Sequence, residues 1–220
     1  MTADSECRSI KIVGIVMERG DFLDLLKQVS GTVSAIREEA CSLHESVGQT
    51  YGKNQPYGFH LCMVADTAME FCHSVLVDRE DVLPLVFGAY FHDSIEDARL
   101  TYNDVRKLAA RYMDDRKAYM AAEIVYALTN DKGRTREERA GEKYYKGIRE
   151  TPYAPFIKLC DRFANMSYSF TEGDSSNARM REVYRREWLH FKSCLVVRAA
   201  DKRLSLPEDL LGRIECLMQE

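Results

Sequence analysis

The 220-residue chain contains no paired cysteine motif. Its seven cysteines (Cys7, Cys41, Cys62, Cys72, Cys160, Cys194 and Cys216) are scattered and odd in number, and no two stand at a C-x-x-C spacing. That pattern argues against a zinc knuckle or a disulfide scaffold and for free thiols in a reducing compartment. No apolar run approaches the roughly 20 residues needed to cross a bilayer. The start is acidic and polar, and Ile10 to Met17 is too short and badly flanked for a signal peptide. A soluble cytoplasmic protein with no membrane partner is therefore expected. Charge of one sign is lacking too: 31 basic against 35 acidic residues leave a net −4. Such a balance is wrong for a general nucleic-acid binder, so any anion site has to be local. Only five prolines occur, and there is no Gly/Ser-rich linker and no internal repeat. One well-filled core fits this length.

What is present is mostly helical periodicity. Ala35, Ile36, Ala40 and Leu43 can share a helix face, as can Leu61, Val64, Ala65, Ala68 and Met69. Val82, Leu85, Val86, Ala89 and Tyr90 form an apolar stripe that leads into His92. Thr101 reads as an N-cap with Asp104 three residues on. Ala121 to Leu128, Phe156 to Met166 and Tyr184 to Val197 also read as helical, and Pro207 suits the first turn of a last helix. Ser30-Gly31, Thr50 to Pro56, Asn130 to Gly133 and Glu172 to Ser176 read as loops. Ile10 to Val16 suits either a short strand or a helical arm. The expectation is an all-α bundle with an N-terminal arm over residues 1–30, a core domain over 31–202 and a C-terminal helix over 203–220 packed on it.

The segment richest in chemistry is Tyr90-Phe91-His92-Asp93-Ser94-Ile95-Glu96-Asp97. On a helix, Glu96 follows His92 by four residues and Asp97 follows Asp93 by four, so these groups share a face. Crowded carboxylates repel one another and resist burial unless a cation gathers them. Imidazole and carboxylate donors suit manganese, iron, zinc or similar divalent ions. A His-Asp dipeptide is common by chance, so further ligands have to come from elsewhere. Pro56-Tyr57-Gly58-Phe59-His60 upstream and Phe156 to Met166 downstream offer them. His60, His92, Asp93 and Asp161 could converge from different helices and hold one divalent ion with positions left open for water and substrate.

These segments resemble the HD-domain metal-dependent phosphohydrolases, and more narrowly the hydrolase domains of RelA/SpoT proteins and the small alarmone hydrolases. The match runs from about Ala40 to Asn165. Pro56-Tyr57-x-x-His60 resembles the first metal-histidine segment, and His92-Asp93-x-x-Glu96-Asp97 the paired HD and ED motifs, followed by a Thr-led helix at Thr101. Ala127 to Lys132 resembles the segment that closes the next helix. Lys158-Leu159-x-Asp161-Arg162-x-x-Asn165-Met166 is similar to the last metal motif, and Glu142 to Arg149 to small bacterial and phage-type members. The resemblance implies metal ligation by His60, His92, Asp93 and Asp161. It implies that Glu96 and Asp97 orient or deprotonate the attacking water and that Asn165 contacts the nucleotide. The ion would be Mn²⁺ first, with Fe²⁺, Zn²⁺, Co²⁺ or Mg²⁺ as alternatives. Leu61 stands where the family often has proline. Its basic run before Pro-Tyr is thinned to Gln49-Thr50-Tyr51-Gly52-Lys53, with Lys53 the one cation.

Further charge lies between Lys132 and Arg149, where seven cations stand against three glutamates. A solvated helix with ion pairs such as Glu138 or Glu142 with Lys146 explains most of it. In the functional reading Lys132, Lys143 and Lys146 receive phosphates and Tyr144 or Tyr145 stacks on a base. His44, His73 and His190 fall outside the ligand pattern and read as structural, and Tyr184, Trp188, Phe191 and Leu195 as core. The expected activity is removal of phosphate or pyrophosphate from a nucleotide, with guanosine 3′-pyrophosphate alarmones as lead substrates. Alternatives are another nucleotide, such as a nucleoside monophosphate or a phosphorylated dinucleotide cofactor, or a non-catalytic nucleotide sensor on the same fold. A purely helical interaction protein would leave the charged residues on apolar helices unexplained. A homo-oligomer is compatible with the sequence.

Overall fold

The fold was determined as a computed structural model that describes residues 16–130, 134–171 and 175–219. It is a bundle of α-helices with one two-residue-stranded hairpin. A long first helix, α1 (Arg19–Ser46), leads into the hairpin of β1 (Thr50–Tyr51) and β2 (Gln55–Pro56), which pair antiparallel with Thr50 opposite Pro56. Then follow α2 (Gly58–Phe71), α3 (Val82–Phe91), α4 (Tyr102–Ala109) and α5 (Asp115–Leu128). The second half holds a single turn, α6 (Arg136–Arg139), then α7 (Glu142–Glu150), α8 (Ala154–Thr171), α9 (Ser175–Ser193) and α10 (Glu208–Leu217). Among the described residues, no helix is long and apolar enough to cross a membrane.

The centre is α2, which packs on α1, α3 and α8, while α5 covers α3 and α4, and α9 and α10 cover α8. The apolar stripes drive this arrangement. Leu61, Val64, Ala65 and Ala68 of α2 are buried, as are Val82, Leu85, Val86, Ala89 and Tyr90 of α3. The α3 helix is apolar all round, which suits a helix enclosed by neighbours. A side chain at its Gly88 would put Cβ 2.6 Å from Ile124 Cγ2 and 3.0 Å from Ile157 Cδ1, so glycine lets α5 and α8 approach together. Thr101 and Asp104 close a capping box at the start of α4. Asp114 caps α5 by accepting from the Lys117 amide.

A buried polar knot ties the far end. Lys117 Nζ lies 2.6 Å from Asp81 Oδ1, and Tyr153 donates its hydroxyl to Asp81 Oδ2 at 2.7 Å. Tyr153 has φ +67° and donates its amide to Arg203 O, which joins the α7–α8 turn to the C-terminal segment.

Several local expectations are corrected. Ser30-Gly31 is not a loop but lies within α1, so a boundary after residue 30 would cut a continuous helix. A Cβ at Gly31 would meet no neighbour, and Ser30 bonds back to Lys27 O within the helix. Thr50 to Pro56 folds as the hairpin rather than as plain loop. Ser175 and Ser176 belong to α9, which ends at Ser193 instead of running to Val197, and Pro207 sits one residue ahead of α10. The strand-or-arm segment Ile10 to Val16 falls outside the described residues up to residue 15, as do Asp131 to Gly133 and Glu172 to Asp174.

Candidate metal centre and adjoining cleft

The four residues expected as ligands come together from three places in the bundle. His60 is in the first turn of α2, His92 and Asp93 follow the last residue of α3, and Asp161 is near the middle of α8. His60 Nε2 and His92 Nε2 are 3.3 Å apart. Asp93 Oδ2 is 2.9 Å from His92 Nε2 and 3.7 Å from His60 Nε2. Asp161 Oδ1 is 3.4 Å from His60 Nε2 and 3.8 Å from His92 Nε2. Bonds of about 2.1 Å to a common ion would put neighbouring donors about 3.0 Å apart and opposite donors about 4.2 Å apart. These five distances lie close to that span, but Asp161 stands too far from Asp93 to join the mutually close group and flanks it from the side of the histidines. Among the described residues, His60, His92 and Asp93 are the one group whose donor atoms all lie within 4.8 Å of each other.

The hydrogen bonds around the cluster bear on what it can hold. His92 Nδ1 lies 2.9 Å from Ala89 O, so this nitrogen carries the proton and Nε2 presents its lone pair inward. That lone pair faces the Nε2 of His60 and a carboxylate, an arrangement that repels itself unless a cation is shared. Protons are one such cation. Burial lowers the His60 imidazole, but the Asp161 and Asp93 carboxylates outweigh it and carry its pKa up to about 9. A divalent ion is the other, and the close group of two imidazoles and the Asp93 carboxylate, with Asp161 beside it, is of the donor type that suits one. Burial would raise the Asp161 carboxyl, yet the Lys158 ammonium and the two histidines hold it well below the ordinary carboxylate range.

Around these groups stands a second layer. Tyr57 donates to Asp93 Oδ2 at 2.5 Å. Asn165 Nδ2 donates to Asp161 Oδ1 at 2.5 Å, and Lys158 Nζ to Asp161 Oδ2 at 2.9 Å. Asn165 Oδ1 accepts from the Tyr51 hydroxyl at 3.0 Å. His44 is fully buried behind the site, stacked on Tyr57 with ring centroids 4.8 Å apart. Burial lowers its pKa, against the pull of Asp93 and Asp97.

The helix through His92 to Asp97 does not form as expected. The α3 helix stops at Phe91 and the chain continues as tight turns, with Asp97 N bonded to Asp93 O at 2.8 Å. Of the three carboxylates in that octapeptide, Asp93 alone joins the histidines. Glu96 turns outward, and its two oxygens accept from the backbone amide and side-chain amide of Asn130. Asp97 bears on the Tyr57 phenol, whose pKa is pushed up first by burial and then by Asp93 and Asp97.

Beside Asp161 opens a cleft of about 560 Å³. Arg139, Lys158, Arg162 and Arg186 bring positive charge to its lining, while Tyr144, Tyr145, Tyr184 and Phe191 bring aromatic surface. Arg162 is already committed: it pairs with Glu187 at 3.1 Å and lies over Tyr184 and Phe191. Tyr184, Trp188, Phe191 and Leu195 are buried, as expected for core, although Tyr184 and Phe191 also face the cleft.

The residues assigned to substrate from sequence are dispersed. Tyr144 is in the wall but buried, with its hydroxyl on Leu128 O. Asn165 lines the cleft and is bound to Asp161 and Tyr51. Lys143 and Lys146 stand on the exposed side of α7, outside the lining, and Lys146 lies 4.0 Å from Glu150. The expected pairs with Lys146 are replaced: Glu142 pairs with Arg149, and Glu138 accepts from the amides of Arg134 and Thr135. Lys53 sits in the exposed turn of the hairpin. Lys132 lies outside the described residues. Sequence reasoning gave no role to Lys158, although its spacing of three before Asp161 on one helix was a usable signal. Arg139 belongs to the basic run between Lys132 and Arg149, whereas Tyr51 and Arg186 carried no such signal.

Comparison with protein-family models finds no match to this chain. A search of curated proteins likewise finds none.

Proposed function

We propose that the protein is a divalent-metal-dependent phosphohydrolase of nucleotides, with guanosine 3′-pyrophosphate alarmones as lead substrates and pyrophosphate as leaving group. The observation that carries this reading is the inward apposition of His60 Nε2 and His92 Nε2 at 3.3 Å, flanked by Asp93 and Asp161. The adjoining cleft supports the substrate class, because guanidinium groups suit phosphate oxygens and aromatic walls suit a base. His60, His92, Asp93 and Asp161 would hold the ion, with Mn²⁺ the first choice. When bound, a divalent ion supplies Lewis acidity that lowers the pKa of a water and draws charge from a phosphoryl oxygen.

The remaining work belongs to the chain. Tyr57, Asn165 and Lys158 orient the two carboxylates. Glu96 is assigned as proton acceptor for the attacking water on the resemblance alone; it faces outward with both oxygens on Asn130, and would have to leave Asn130 and turn toward the ion to take that role. Asp97 acts behind it by loading the Tyr57 phenol. Arg139 and Arg186 draw phosphate oxygens to the cleft from α6 and α9.

The test is product release from guanosine tetraphosphate by the purified protein with Mn²⁺, beside Asp93→Ala. Guanosine diphosphate and pyrophosphate from the wild type alone is the expected result. Equal turnover by Asp93→Ala would refute the site. A parallel panel of nucleoside monophosphates and phosphorylated dinucleotides covers the alternative substrates, and turnover of one of those instead would keep the chemistry and move the substrate. Nucleotide binding without any product would favour the sensor.

A further inference from the structure

The two histidines of the cluster are held differently. His92 has its Nδ1 anchored on Ala89 O, which fixes both its proton and the rotation of its ring. His60 is just as buried, at 2 % exposure, yet its Nδ1 has no hydrogen-bond partner among the described residues. Its polar contacts all lie on the Nε2 edge, which leaves the rest of the ring to be fixed by packing. The ring of Tyr51 lies on it, with centroids 4.8 Å apart and planes at 15°. Tyr57 meets the same imidazole edge-on at 5.5 Å.

Tyr51 also reaches the other side of the cluster. Its hydroxyl donates to Asn165 Oδ1 at 3.0 Å, and Asn165 Nδ2 donates to Asp161 Oδ1 at 2.5 Å. That same oxygen is 3.4 Å from His60 Nε2. One side chain thus bears on two of the four donor residues, one through its ring and one through its hydroxyl. Its own position is tightly determined. Gly52 has φ +57°, and a Cβ there would come 2.1 Å from the Tyr168 hydroxyl, so only glycine lets the hairpin close on α8. Tyr168 in turn packs edge-on against Tyr51 at 4.8 Å.

We propose that Tyr51 is a positioning residue of the metal-ligand set, its ring fixing the plane of His60 and its hydroxyl fixing the Asp161 carboxylate through Asn165. This rests on the reading of His60 and Asp161 as ligands. The hairpin is then part of the site, and its length and glycine exist to deliver one aromatic ring.

The experiment is titration of the metal-free protein with Co²⁺, reading affinity by chelator competition and ligand field by visible absorption. Outer partners of metal ligands are worth about 10–100-fold in affinity. Tyr51→Phe, which keeps the ring, should bind about 10-fold more weakly with an unchanged spectrum. Tyr51→Leu should bind about 100-fold more weakly with an altered spectrum. Asn165→Ala, which also removes the direct bond to Asp161, should cost at least as much as Tyr51→Phe, and Tyr51→Phe added to Asn165→Ala should cost nothing further, because the hydroxyl acts only through Asn165. Melting of the metal-free proteins separates positioning from plain destabilisation. Affinity within about twofold of wild type in both Tyr51 variants, with only melting affected, would overturn the proposal and leave the ligand assignment standing. Failure of the wild type to bind Co²⁺ would overturn the ligand assignment itself.

Discussion

Lys158 holds an ammonium 2.9 Å from Asp161 Oδ2 with little exposure of either side chain, and its removal offers a quantitative probe of the cluster. At an effective dielectric of about 20, the attraction at that distance is about 6 kcal/mol before desolvation is subtracted. Removing one partner of such a buried pair typically costs about 3–5 kcal/mol. Asp161 would keep its Asn165 bond and its two imidazole neighbours, so a loss of about 2–3 kcal/mol is expected for Lys158→Met. For a chain of this length that is a fall in melting temperature of about 5–10 °C. A divalent ion would supply the missing positive charge at Asp161 and would no longer compete with the ammonium. The melting rise on adding saturating Mn²⁺ should therefore be larger in the variant than in the wild type. A ligand at 100 times its dissociation constant stabilises a native state by about 2.7 kcal/mol, so the two proteins are compared at one fixed Mn²⁺ concentration. Calorimetry of both proteins with and without Mn²⁺ gives the four numbers needed. An equal metal-induced rise in the two proteins would refute the claim that Lys158 and the ion share one carboxylate.

Three further outcomes follow from particular contacts. Glu96→Gln should retain metal while lowering kcat by about 10²–10⁴-fold with little change in KM, and loss of metal instead would make Glu96 a ligand. Gly88→Ala should cost about 1–3 kcal/mol in chemical denaturation, because its Cβ would enter Ile124; an unchanged midpoint would mean that α3 and α5 shift apart freely. Burial would lower the Lys117 ammonium, but Asp81, Asp78 and Glu80 raise it above its ordinary 10.5, with the Tyr153 hydroxyl on the same Asp81 carboxylate. A raised base stabilises fully below its unfolded value and loses that contribution as pH climbs through the folded one. The melting gap between wild type and Lys117→Met should thus hold constant at about pH 7–9 and shrink above 10.5; a gap unchanged to about pH 12 would place the stabilisation elsewhere.

The helices were legible because burial leaves a period in the sequence. The α2, α3 and α8 stripes are buried where the apolar positions repeat, and the α4 start is capped as Thr101 and Asp104 indicate. Short-range propensity failed where tertiary packing outweighed it. Ser30-Gly31 resembles a break, yet α1 continues through it because its buried residues on either side, Leu25 and Ile36, hold the helix to the bundle. His92 to Asp97 failed in the opposite sense. The segment has helical spacing, but the chain leaves the helix at Phe91, and this departure sends Asp93 inward and Glu96 outward to Asn130.

In the candidate site, the convergence of His60, His92, Asp93 and Asp161 was legible and the side chains around them were not, for a physical reason. An imidazole or carboxylate on an apolar helix face conflicts with its surroundings, and a conflict is visible in one dimension. A tyrosine does not conflict with an apolar environment, so Tyr51 and Tyr57 read as ordinary aromatics until their hydroxyls are placed on Asn165 and Asp93. The same holds for cations. Lys143, Lys146 and Arg139 belong to one visible cluster, but α7 turns the two lysines outward, while Arg139 lines one cleft with Arg186, more than forty positions away in the chain. Charge density along a chain measures solvation of a helix face. Charge density in a cleft is set by which helices cross there, and in this bundle that is decided by the packing of α8 against α7 and α9.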